Sequence, residues 1–164
     1  MAEAQFINAP NNLKKAKVGS GRAKLDPQVL ARAEKVVEKI QQEYTAWADE
    51  DMAAFDTVLA ELKSTGCDQP ATIKKIFSLS LDMKGQGGSF GYLLMSEVAA
   101  SLNDFIAKRT RLSPLDIEVV DSHISTLHAI FRQNVRDDGG ETGRALIAGL
   151  QRLVTKADTR GNLV

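Results

Sequence analysis

The chain has 164 residues, enough for one domain, and its 21 basic and 21 acidic side chains cancel, so no net charge steers it toward nucleic acid or an anionic membrane. Cys67 is the single cysteine, which excludes an intramolecular disulfide and a cysteine-rich zinc site and fits a reducing compartment. No apolar run nears the roughly 20 residues that span a bilayer, and the opening MAEAQFINAPNNLKK has no apolar leader stretch. A cytoplasmic protein with neither a membrane nor a nucleic-acid partner is expected.

Residues 1–24 carry Lys14, Lys15, Lys17, Arg22 and Lys24 against one acid, Glu3, with no apolar period, and read as a flexible basic tail. Asp26-Pro27 reads as an N-cap with proline at the first helical position. Leu30, Ala33, Val37, Ile40, Tyr44 and Trp47 then form one face of a long helix. Asp49, Glu50 and Asp51 suit the start of a second helix, where acids meet the positive end of the helix dipole. That helix buries Phe55, Leu59 and Leu62 and stops near Gly66. Pro70 opens a third, whose period runs through Ile73, Ile76, Phe77, Ser80 and Leu81 into the glycine-rich GQGGSFG at 85–91.

A fourth helix begins at Tyr92 or Leu93, with Leu94, Val98, Leu102, Phe105 and Ile106 inward. Ser113-Pro114 with Asp116 resembles a capping box and starts a fifth, carrying Ile117, Val120, Ile124, Leu127, Phe131 and Val135, which Gly139-Gly140 is expected to end. A last helix holds Leu146, Ile147, Leu150, Leu153 and Val154. Few aromatics and many helix formers favour an all-α fold, and short linkers favour antiparallel neighbours. One domain over 25–157 is expected, with 158–164 as a flexible end.

The chemical information concentrates in Ser80–Tyr92. An interior glycine costs a helix about 1 kcal/mol relative to alanine, so four glycines at 85, 87, 88 and 91 call for a reason. A Walker loop would need Lys-Ser or Lys-Thr after its second glycine. A dinucleotide fingerprint would need glycine where Phe90 stands, after a strand that the pattern lacks. A plain helix end accounts for Gly87 and Gly88 but leaves the rest unexplained.

The segment resembles the histidine-containing phosphotransfer (HPt) family. That family's motif is a histidine, two residues, Lys-Gly, then small positions and a glycine ten places after the histidine. Lys84-Gly85 and Gly91 stand at those spacings, Gly88 fills a small position, and Ile76, Phe77, Leu94 and Leu102 fit the flanking apolar positions. The match spans about 35 residues. It implies an antiparallel four-helix bundle with additional N- and C-terminal helices. It also implies a partner: a response-regulator receiver domain or a histidine-kinase component. In the family, an exposed histidine accepts a phosphoryl group, the lysine one turn on neutralises its charge, and the glycine after it lets the partner approach.

At about 100° per residue, Phe77, Leu81, Lys84, Gly85 and Gly88 share one helical stripe, the expected partner-binding surface. The departure is Leu81, which stands where the phosphoacceptor histidine belongs and has no nucleophilic atom. His123 and His128 are five apart, too far around a helix for a metal pair, and read as structural or surface residues. Asp82 points away from the stripe. No paired carboxylates, nucleophile with base, or metal cluster stands out, so no enzyme, metal or cofactor is expected. The sequence therefore implies an HPt-like protein that binds without transferring phosphate. The alternative is a structural or assembly protein that keeps the bundle and has lost the relay role.

Overall fold

The computed structural model describes residues 27–161, and all regular structure among them is helical: α1 Pro27–Lys63, α2 Gln69–Ser89, α3 Leu93–Ala107, α4 Pro114–Arg132 and α5 Gly140–Gly161. None of these helices is long and apolar enough to cross a membrane. The expected tail at 1–24, the Asp26 cap and the side chains of Ile40, Tyr44 and Trp47 lie outside the described residues. Packing separates the chain into two units, Met1–Val36 and Val37–Val164. The described part of the first is the start of α1; the second holds the core.

Two expected helices are one. The helices expected before and after Asp49 join in α1, which runs on to Lys63, because no glycine or proline lies between Pro27 and Gly66 and Ala46, Ala48, Ala53 and Ala54 favour continuation. Asp49–Asp51 sit in mid-helix rather than at a start. Gly66, at φ +85°, sits in the turn beyond α1.

α2 begins where Asp68 Oδ1 accepts the Ala71 N–H at 3.3 Å, with Pro70 in the first turn. It passes through Gly85, Gly87 and Gly88 and ends at Ser89. Gly91, at φ +80°, makes the turn, and the Tyr92 N–H returns to the Gly87 carbonyl at 2.8 Å, as in a Schellman ending.

The Ser113–Asp116 capping box is present at the start of α4. Its far end differs from expectation: α4 stops at Arg132, ahead of Gly139-Gly140. Asn134 takes the left-handed position at φ +50°, its N–H bonds the Phe131 carbonyl, and the Val135 N–H bonds the Ile130 carbonyl, both at 3.0 Å. Asparagine here does the work more often given to glycine. Val135 therefore leaves the helix, and Gly140 opens α5, its N–H held by Asp138 Oδ1 at 2.9 Å. α5 continues through Gly161, beyond the expected domain end at 157.

Side-chain pairings give helix directions within the second unit. Lys63–Asp121 and Asp56–His128 run α1 against α4. Asn103 to the Phe77 carbonyl and Ser96 to the Lys84 carbonyl run α2 against α3. Ser101–His123 and Arg109–Asp116 run α3 against α4. The core between them includes Phe55 of α1, Ile76 and Met83 of α2, Leu94, Met95, Leu102, Phe105 and Ile106 of α3, and Ile124, Leu127 and Ile130 of α4, all fully buried. At about 25 cal/mol per Å² of apolar surface, these side chains supply the dominant folding term. Leu150 and Ala157 bring α5 into the same core, whereas Leu146 is exposed.

Candidate functional site

α2 has two faces of different character. Inward it carries Thr72, Ile73, Ile76, Ser80, Met83 and Gly87. Outward it carries the stripe expected from sequence: Phe77, Leu81, Lys84, Gly85 and Gly88 are all exposed. Phe77 retains 36% and Leu81 48% of its accessible surface, which makes them the large apolar residues exposed on this helix. A single exposed leucine is unremarkable. Here a phenylalanine and a leucine one turn apart are followed by a lysine and a glycine on the same side.

Backbone contacts from α3 hold the stripe. The Ser96 hydroxyl donates to the Lys84 carbonyl. The buried Asn103 amide donates to the Phe77 carbonyl at 2.9 Å and to Ser80 Oγ at 3.0 Å. Ser96 and Asn103 thus fix the rear of the surface, a role the spacing of α3 did not announce. Each is polar at a position where the helix faces a neighbour, and that is the signal that could have found them.

The three glycines inside α2 differ. A methyl group on Gly87 would come within 3.1 Å of the Ser96 nitrogen and 3.2 Å of the Tyr92 carbonyl oxygen, so its absence lets the start of α3 approach. On Gly88 the nearest atom would be Ser96 Oγ at 3.7 Å, an ordinary contact. On Gly85 nothing would lie within 4 Å. Packing among the described residues gives no reason for Gly85.

Charge around the stripe is simple. Among the described residues no carboxylate forms an ion pair with Lys84, whereas Lys75 is held by Glu61 at 2.8 Å. Asp82 is exposed, and its charge acts on Asp51 of α1. Partial burial raises the Asp51 carboxyl above the usual carboxylate range, and the charges of Asp82 and Glu50 push it in the same direction.

The histidines stand elsewhere. His123 is fully buried on α4, with Nδ1 2.8 Å from the Val119 carbonyl and Nε2 3.0 Å from Ser101 Oγ. A carbonyl only accepts, so Nδ1 carries the hydrogen and Ser101 donates to Nε2. Burial lowers its pKa, which keeps it neutral, and both nitrogens are engaged in structure. His128 Nε2 lies 2.8 Å from Asp56 at the edge of a cleft of about 580 Å³ lined also by Asp49, Met52, Tyr92, Phe131, Arg132 and Arg136. Arg136 is already committed: its guanidinium lies 4.1 Å from the Tyr92 ring centroid and donates to Asn134 and to the Phe90 carbonyl. No cluster of three or more potential metal ligands occurs among the described residues.

No protein-family model, no curated protein and no solved structure matches the chain.

Proposed function

We propose that this chain is a non-phosphorylatable HPt-like protein: an antiparallel four-helix bundle with additional N- and C-terminal helical segments, whose outer α2 face docks a response-regulator receiver domain or a histidine-kinase component without taking phosphate from it. The observation that carries this reading is Gly85. An exposed glycine in a helix interior costs about 0.5–1 kcal/mol, and the space where its side chain would stand is open. The gap is therefore suited to something that approaches from outside. Phe77 and Leu81 supply apolar contact beside it, and Lys84 supplies a cation that no carboxylate among the described residues pairs.

Leu81 sets the chemistry. Accepting a phosphoryl group requires an electron pair on a nucleophilic atom, and a leucine side chain has none. His123 has both ring nitrogens bonded inside the bundle, so it does not stand in. The surface keeps a means of recognition and lacks the means of transfer, as a scaffold, competitor or inhibitor in a relay would. Mixing the chain with phosphorylated receiver domains encoded by the same genome tests this directly. Complex formation with no label on this chain is expected. Stable label on this chain would overturn the reading, and absence of binding to every receiver and kinase component would favour an assembly role for the bundle instead.

A further inference from the structure

The charged side chains of α2 are Lys74, Lys75, Asp82 and Lys84, all exposed. Two of them turn toward α1: Lys75 is held by both carboxylate oxygens of Glu61, at 2.8 and 3.0 Å, and the charge of Asp82 acts on Asp51. The other two stay with the outer stripe. At about 100° per residue, Lys74 stands about 20° and Lys84 about 60° from Leu81, whereas Lys75 and Asp82 are turned about 120° and 100° away. No carboxylate among the described residues pairs with Lys74 or Lys84.

At about 1.5 Å per residue, the two lysines lie about 15 Å apart along the helix, with Phe77 and Leu81 exposed between them. The α3 side chains that bond the α2 backbone beside this strip, Ser96 and Asn103, are uncharged. The chain as a whole balances 21 basic against 21 acidic residues, so the strip is a local positive surface on a neutral molecule. Such a pattern selects by sign. An acidic protein surface gains at both ends, a basic one is repelled at both, and the apolar pair excludes water between them. An anionic bilayer fits less well, because it holds segments with roughly four to eight basic residues and the strip offers only Lys74 and Lys84.

We propose that the partner of α2 is an acidic protein surface that brings carboxylates to both Lys74 and Lys84, on either side of an apolar patch that meets Phe77 and Leu81. This rests on the docking reading above, to which it adds Lys74 as a contact and the sign of the partner's charge. Titrating the full chain with receiver domains and histidine-kinase components of the same genome, at low and high salt, tests it. Binding should weaken as added salt screens the exposed charges. Lys74→Glu should bind about fivefold or more weakly, chiefly through slower association, with an unchanged thermal midpoint, since Lys74 is exposed and unpaired among the described residues. Lys75→Gln, which removes a cation already paired with Glu61, should change affinity by less than about twofold. A partner that shifts the amide resonances of the α2 stripe yet binds Lys74→Glu as tightly as the natural chain overturns this proposal and leaves the docking reading standing. An equal loss in Lys75→Gln does the same. Absence of binding to all of these partners overturns both together. Cosedimentation with phosphatidylserine vesicles that Lys74→Glu abolishes overturns the proposal in favour of a lipid surface.

Discussion

Gly85 and Gly87 sit two residues apart in the same helix and are glycine for opposite reasons. Gly87 faces inward, where a side chain would meet the backbone of Tyr92 and Ser96. Gly85 faces outward, where a side chain would meet nothing. The inner glycine belongs to the fold: it lets α3 start close against α2. The outer one lowers helix stability, and among the described residues nothing would touch a side chain there. A glycine-rich motif is thus two overlaid instructions, and only the geometry separates them.

Substituting the two glycines in turn sharpens that contrast most. Gly87→Ala should destabilise the fold by about 1–3 kcal/mol, because the obstructing atoms are backbone and cannot rotate away. Denaturant unfolding measures this, and a neutral result would mean that the α2–α3 turn is softer than its contacts imply. Gly85→Ala should do the reverse, raising stability by up to about 1 kcal/mol while weakening receiver binding. A loss of stability at Gly85 would erase the distinction between the two positions.

Acid should act on the inner structure in two steps. His123 has a lowered folded pKa, so the unfolded chain takes up a proton more readily. Its stabilising effect is present above the unfolded value of about 6.5 and is lost as pH falls below it. For Asp116, burial alone would raise the pKa, but bonds from the Ser113 hydroxyl and N–H and from Arg109 outweigh it and leave the pKa lowered. Its contribution is present above an unfolded value of about 3.9 and is lost as pH falls through the lower folded value. Thermal melts should therefore show a first decline below about pH 6.5 that His123→Gln reduces.

The smallest effect belongs to the outer side. Asp51 has a raised folded pKa, so its ionisation weakens the fold as pH rises through the carboxylate range. Asp51→Asn should slightly raise the thermal midpoint at neutral pH, and a lowered midpoint would show that the raised carboxyl has a favourable partner.

Much of this was legible in sequence, and what was not had local causes. The inward rows of α3 and α4 follow from apolar period, as Leu94, Leu102, Ile124 and Leu127 show. The Ser113–Asp116 cap was readable because its spacing has a single geometric meaning. The break expected at Asp49 was not there, because acids favour a helix start without forbidding a helix interior. The end of α4 was misplaced because Asn134 adopted the left-handed turn before the glycines were reached. At the candidate site, the shared face of Phe77, Leu81, Lys84, Gly85 and Gly88 followed from helical angle alone. The separate duties of Gly85 and Gly87 did not, since they depend on where α3 begins relative to α2.

The central claim is that the outer face of α2 is a docking surface. Titrating the isotopically labelled chain with a cognate receiver domain and following its amide resonances tests this most directly. The account predicts shifts concentrated at Phe77, Leu81, Lys84, Gly85 and Gly88, and their disappearance in Leu81→Asp. Binding that shifts residues of α4 and α5 while leaving this stripe unmoved would contradict it.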